Sequence, residues 1–369
     1  MSPIPLARPS VGDEERALID EVLGSGQLSR GPMVKRFEAA FAEFLGADHA
    51  VALSSGSAAL HLGIKALRLP PSAEIITSPF SVPATANMVL AAGARLQLCD
   101  ISPTHLGLDP PQVACTITDE TAAVLPVHVF GQSAEIEALV DVCRIEGIQL
   151  IEDACEALGT RVGERALGTF GDMGCFGFYP NKQITTGEGG MLVTDNPELA
   201  ERVRLMRNHG RSMDGPWHDQ QLVGLNYRLP ELSAALGLGQ LQRIDDTMIR
   251  RAALATTYRK QLAELPGLRP VAPDDSNICW FAWVVILDPD LPRDQIIADL
   301  KDRGIQAGRY FAPLHQQPAL APLVGDQGPF PVAEAMAARA LALPFFNDMT
   351  TDQAEQVCEA LATLIQRYR

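Results

Sequence analysis

Apolar residues in the first two thirds of the chain fall into two alternating patterns. Short unbroken runs end at small or polar residues, and longer stretches place apolar residues three and four positions apart. The runs predict buried strands and the stretches predict amphipathic helices. In order they give helices over Glu14 to Leu23 and Val34 to Leu45, a strand Ala50 to Leu53, a helix Ala58 to Leu67, a strand at Ile75-Ile76 and a helix Ala84 to Ala92. Strands Leu96 to Cys99 and Ala123 to Val127, a helix Glu135 to Glu146 and a strand Gln149 to Ile151 follow. Such alternation predicts an α/β fold, a mainly parallel sheet with helices on both faces. Ligands of such sheets sit at the carboxyl ends of the strands.

The apolar segment Met191 to Asp195 and a helix ending at Met206 come next. The polar, glycine-bearing stretch Asn208 to Gly224 is read as a mobile loop over a site. A long helix is predicted over Glu231 to Arg251, after which the composition changes near Gly267 and Pro270. A strand Trp283 to Leu287, a helix Arg293 to Arg303, a strand-like Ile305 to Tyr310 and helices Val332 to Leu341 and Asp352 to Tyr368 predict a smaller C-terminal α+β domain. The predicted division is a large domain over 1–250, opening with an extended arm of twelve residues, and a small domain over 251–369.

Three turns carry candidate chemistry. Phe176 to Gly190 sets one lysine, Lys182, among aromatics, glycines and threonines between two strand-like runs. A lysine held in apolar surroundings loses solvation of its ammonium form, which frees a neutral amine to attack a carbonyl. Taken alone, Lys182 is better explained by an exposed turn. The run Gln149 to Ile151 leads into Glu152 and Asp153, 29 residues before Lys182. A strand-end aspartate can pair with a pyridinium nitrogen, or simply cap a helix. At Ser54-Ser55-Gly56-Ser57-Ala58 a strand breaks just before a helix, and backbone amides at a helix start bind anions. A Schiff-base lysine, an acid for a ring nitrogen and an anion site are what pyridoxal phosphate (PLP) requires.

With these motifs in this order the chain resembles the DegT/StrS family of sugar aminotransferases, PLP enzymes of fold type I. The likeness continues through Ser25 to Pro32, Ala84-Thr85-Ala86-Asn87, Pro126 to Gln132, Arg207 to Arg211 and Gly224 to Glu231. The resemblance implies that Lys182 bonds the cofactor and then moves the proton, and that Asp153 faces the ring nitrogen. It implies that Ser57 and Ala58 give amides to the phosphate, and that Asn226 reaches the same phosphate from the neighbouring subunit of a homodimer with shared active sites. Glu156 stands where relatives more often carry glutamine or histidine near the cofactor. Val82 replaces the usual stacking aromatic, and Gly177 replaces a serine that touches the phosphate. Arg211 and Arg228 are the expected partners of a carboxylate or diphosphate, with a solvated surface charge as the alternative for each. Tyr310 and His315 resemble the small-domain segment that closes over the sugar. The implied reaction moves an amino group from L-glutamate to a nucleotide-linked keto-deoxysugar, at a 4-keto rather than a 3-keto carbon, for polysaccharide or glycoconjugate synthesis. A cyclitol aminotransferase, a related sugar dehydratase and a non-catalytic PLP-binding regulator are the alternatives; the dehydratases carry histidine at the lysine position.

Composition narrows the partners. The 369 residues carry a formal charge of −15, which argues against nonspecific binding to nucleic acid or an anionic membrane. It does not argue against one nucleotide sugar, which needs only local arginines and amides. The seven cysteines are odd in number and lie mostly inside apolar runs, so they read as reduced core residues, with no metal-binding spacing. The first residues lack a signal-peptide core and no apolar run reaches bilayer length, so a cytoplasmic location is expected.

Overall fold

The computed structural model describes residues 3–212, 216, 218–271 and 277–369. The strands, in chain order, begin with β1 His49–Leu53, β2 Glu74–Thr77, β3 Arg95–Leu98, β4 Thr121–Leu125 and β5 Gln149–Asp153. A short ribbon, β6 Arg161–Val162 and β7 Arg165–Ala166, follows, then β8 Met173–Gly177 and β9 Gly190–Thr194. The main sheet has seven strands in the order β1-β9-β8-β5-β4-β2-β3. From β8 to β3 the neighbours are parallel, and β9 runs antiparallel to both β1 and β8.

Both faces of this sheet are buried, which is why its strands read as continuous apolar runs. Val51, Leu53, Ile75 and Leu125 pack on one side with Ala59 and Leu62 of the helix Gly56–Leu67. Ala50, Ala52, Ile76 and Val124 face the other way, toward Phe37 and Phe41 of the helix Pro32–Leu45. Phe41 meets Phe176 edge-on at 5.2 Å and Phe178 at 5.5 Å, so the strand that leads into the lysine turn is anchored in this core.

A second sheet of three antiparallel strands, β10 Leu268–Pro270, β11 Trp283–Leu287 and β12 Ala340–Leu343, forms the centre of the C-terminal part. Three sequence expectations change here. The helix predicted over Val332 to Leu341 ends at Arg339, and Ala340–Leu343 is strand. These four residues bury alternate sides, Ala340 and Ala342 in one cluster and Leu341 and Leu343 in another, a pattern too short to separate from a helix by spacing. Ile305 to Tyr310 forms no strand, only bridges at Ile305 and Gly308. The helix expected over Glu231 to Arg251 is two, Glu231–Gln242 and Ile244–Leu262, broken at Arg243. Both Gln240 and Arg243 turn to the buried Glu15, at 2.6 Å from Gln240 Nε2 and 3.0 Å from Arg243 Nε.

The N-terminal arm joins the two parts. Ile4 donates to Gly304 O at 2.8 Å and accepts from Gln306 N at 2.9 Å, Leu6 O accepts from Phe345 N, and Ser10 O accepts from Gln240 Nε2 at 2.7 Å. Of the stretch read as a mobile loop, residues 213–215 and 217 lie outside the described residues, as do Met1 and Ser2 of the arm. Among the described residues no helix is long and apolar enough to cross a membrane.

Candidate active site

The two acids at the end of β5 have different fates because successive strand residues point to opposite faces. Glu152 is fully buried and accepts from Gly168 N at 2.7 Å, Phe170 N at 2.6 Å and Gly171 N at 2.8 Å. His128 Nδ1 accepts from Ala134 N, so its Nε2 carries the hydrogen and donates to Glu152 at 3.0 Å. This many donors offset the cost of burying a carboxylate, and Glu152 ties β5 to the 166–171 turn. Asp153 keeps chemistry open. Its Oδ2 accepts from the Thr85 hydroxyl at 2.8 Å and its Oδ1 from Cys155 N at 3.2 Å, leaving lone pairs on both oxygens for a ligand.

Lys182 follows β8 on a turn in which its amide donates to Tyr179 O at 2.9 Å. Its Nζ lies 3.4 Å from Glu156 Oε1 and 4.1 Å from the centre of the Phe281 ring. Glu156 is held from behind, with Oε2 accepting from Phe130 N at 2.9 Å and its backbone carbonyl from Gln183 Nε2 at 2.7 Å. Burial raises the Glu156 pKa, against the pull of Lys182 and the Phe130 amide. Tyr310 completes an aromatic wall, stacked on Phe311 at 4.9 Å and Phe130 at 6.0 Å; burial, then the Glu156 charge, push its hydroxyl up to about 12.

The helix Gly56–Leu67 starts beside these groups. Ser55 caps it by accepting from Ala58 N at 3.0 Å, so the Ala58 amide is already engaged and the helix start is left to the Gly56 and Ser57 amides. A Cβ placed on Gly56 would meet Cys155 Sγ at 2.9 Å and Gly177 Cα at 3.1 Å. The ends of β1, β5 and β8 therefore close on one small cradle. Val82 caps the helix Pro83–Ala91 that carries Thr85, and is 39% exposed.

The other expected residues are gathered elsewhere. Asn226 is exposed, next to Tyr227 whose carbonyl accepts from Ser54 N at 2.9 Å. Arg228 donates to Asn208 Oδ1 at 3.0 Å and, with Arg30, Lys35 and Arg207, lines a cavity of about 160 Å³. Burial, then the charges of Arg30, Arg211 and Arg207, lower the Arg228 pKa. Leu229 forms part of the cavity wall and packs toward Gly189 of the lysine turn. His315 turns to Glu334, at 3.1 Å from Nε2, while the neighbouring Leu314 amide donates to Pro79 O after β2. Thr85, Phe130 and Phe281 were given no role from sequence. Thr85 belongs to the Ala84-Thr85-Ala86-Asn87 motif, whereas Phe281 comes from a distant segment with no local signal.

Relatives share this architecture over nearly their whole lengths. The chain is 37% identical to the spore coat polysaccharide biosynthesis protein SpsC of Bacillus subtilis (strain 168), covering 98% of this chain and 97% of that one. It is 34% identical to the GDP-perosamine synthase of Vibrio cholerae, covering 97% and 98%. Its structure superposes on Helicobacter pylori PseC, an aminotransferase involved in the biosynthesis of pseudoaminic acid, with a TM-score of 0.94 at 27% identity over 99% of this chain and 100% of that one. The mainly parallel sheet with its small antiparallel companion is the fold type I that the sequence led us to expect. The DegT/DnrJ/EryC1/StrS aminotransferase family model matches residues 9–362, and the chain belongs to that family.

Proposed function

We propose that this PLP-dependent aminotransferase moves an amino group from L-glutamate to the keto group of a nucleotide-linked deoxysugar, at C4 rather than C3. The observation that carries this reading is the closure of three strand ends around Gly56, Cys155 and Gly177, with Lys182 and the Asp153 carboxylate beside them. The residues fit the cofactor. The space that side chains at Gly56 and Gly177 would fill, together with the Gly56 and Ser57 amides, suits a phosphate. Asp153, with lone pairs to spare, suits the protonated ring nitrogen, and Lys182 is the amine within the aromatic wall. When bound, PLP supplies an electron sink that makes the proton on the substrate's amino-bearing carbon acidic. Lys182 Nζ is the base that moves that proton, Tyr310 and Phe281 exclude water from it, and Arg228 and Arg211 attract the anionic ends of the two substrates. Asn226 of the partner subunit completes the phosphate site in a homodimer. The family membership and the names of the polysaccharide and sugar relatives support the substrate class.

The test is spectroscopic. Purified protein should absorb in the near-visible, and borohydride should fix the cofactor on Lys182; Lys182→Ala should lose both signals. Glutamate alone should bleach the band, with 2-oxoglutarate released, and a nucleotide-linked 4-ketosugar should restore it, giving ping-pong kinetics. A band that no amino acid bleaches, with ketosugar still consumed, would replace transamination by dehydration.

A further inference from the structure

We propose that Glu156 is the proton partner of Lys182. It holds the lysine as an ammonium ion until a carbonyl compound arrives, then takes the proton that Nζ must lose to attack. The inference rests on the reading that Lys182 is the residue that bonds the cofactor aldehyde, and adds a role that a glutamine at position 156 cannot fill.

The geometry restricts where that proton can go. The two side chains are 14% and 6% exposed, so bulk water is a poor acceptor. On one side of Nζ lies the Phe281 ring, which stabilises a cation but takes no proton. At 3.4 Å from Nζ is Glu156 Oε1. The carboxylate is fixed by the Phe130 amide on its second oxygen, a bond it must break to swing out to solvent, and Gln183 holds the backbone carbonyl of the same residue.

The remaining ionisable groups facing the pair are Asp153, Cys155 and Tyr310. Among the described residues Asp153 makes no hydrogen bond or ion pair with Nζ; its contacts are Thr85 and Cys155 N. Burial, first of all, raises both the Cys155 thiol and the Tyr310 hydroxyl, so at neutral pH both are already protonated and cannot accept. Glu156 is the acceptor that remains, and its burial favours the neutral acid it becomes. The step balances: one Nζ–H bond breaks, one Oε1–H bond forms, the freed lone pair attacks the carbonyl carbon, and water leaves later. The pair carries no net charge before or after, so no charge has to cross the apolar wall.

The chain has five lysines, and Lys35, Lys65, Lys260 and Lys301 are all exposed, which makes a direct titration practical. Full-length protein freed of cofactor is reductively methylated with a carbon-13 label, the Lys182 signal is identified by its loss in Lys182→Arg, and its shift is followed against pH. In Glu156→Gln, which keeps the shape and the Phe130 hydrogen bond, the Lys182 midpoint should fall by about one pH unit or more, the effect of removing an opposite charge at this range. Glu156→Asp, which keeps the charge, should lie above Glu156→Gln. A second step at acid pH in the wild-type Lys182 signal, from protonation of Glu156, gives the same answer if Glu156→Gln does not fold. An unmoved or raised midpoint, or a wild-type signal without the second step, overturns the proposal. No cofactor and no turnover enter this titration, so its failure is distinct from failure of the aminotransferase reading, which borohydride fixation and glutamate bleaching decide.

Discussion

Gly56 and Gly177 meet backbone to backbone: a Cβ on the first would stand 3.1 Å from the Cα of the second. The reverse contact is looser, since a Cβ on Gly177 would find Cys155 Sγ at 3.3 Å and Gly56 Cα at 3.7 Å. The two glycines should therefore respond differently to a side chain. Gly56→Ala forces the helix start away from β8 and should cost about 1–3 kcal/mol of stability. Gly177→Ser should fold normally and, by adding a hydroxyl to the cradle, slow loss of PLP during dialysis. Thermal unfolding and cofactor retention measure the two effects; a Gly177→Ser protein that sheds PLP faster than wild type would overturn the cradle assignment.

Val82 offers a second probe of the same pocket. It is more than a third exposed, and an aliphatic side chain forgoes the stacking worth about 0.5–1.5 kcal/mol that an aromatic ring supplies beyond its buried area. Val82→Phe should lower the PLP dissociation constant by about two- to tenfold. Weaker binding would mean that the space beside Val82 is needed by something else.

What could be read from the chain before its fold followed from local physics. Asp153, the Ser54 turn and the lysine turn were legible because each interrupts an apolar run, and an α/β sheet gathers such interruptions at one edge. Position 156 was legible as unusual, but not its distance from Lys182, which depends on the path of a separate turn. The Phe281 ring over Nζ and the aromatic wall with Tyr310 were hidden because they arrive from the C-terminal part, about a hundred residues or more from Lys182 in sequence. The break at Arg243 was hidden for a related reason: Glu15, to which Arg243 turns, lies 228 residues away.

Glu15 gives a stability prediction with a definite sign. Burial pushes its pKa up, but donors from Arg243, Gln240 and the Gly12 amide outweigh this and hold it below its ordinary value. A depressed carboxyl contributes stability that is full above its unfolded pKa and is lost as pH falls through the lower folded value. Glu15→Gln should thus cost about 1–3 kcal/mol at neutral pH, a charged hydrogen-bonded group being lost. The gap from wild type should narrow below about pH 4. Urea unfolding at neutral and acid pH measures it, and a gap that widens in acid would reverse the assignment.

The proposal of shared active sites makes a quantitative prediction from two inactive proteins. Lys182→Ala and Asn226→Ala, each alone, should be nearly inactive. Unfolded together and refolded, they should recover about a quarter of wild-type activity, because half the dimers are mixed and each mixed dimer contains one intact site. No recovery, with mixed dimers demonstrated by mass, would place Asn226 in the site of its own chain.

The hydrogen bonds of Ile4 to Gly304 and Gln306 have a consequence for synthesis. The arm is made well before its partners, which follow about three hundred residues later, on the order of 15–60 s at ordinary elongation rates. Through that interval Ile4, buried to 2% in the finished protein, has nothing to dock on, while the strands of the main sheet can already pair behind it. Docking of the arm therefore has to wait for residues 304–306, and a bulky fusion ahead of the arm should disturb that step more than the assembly of the central sheet.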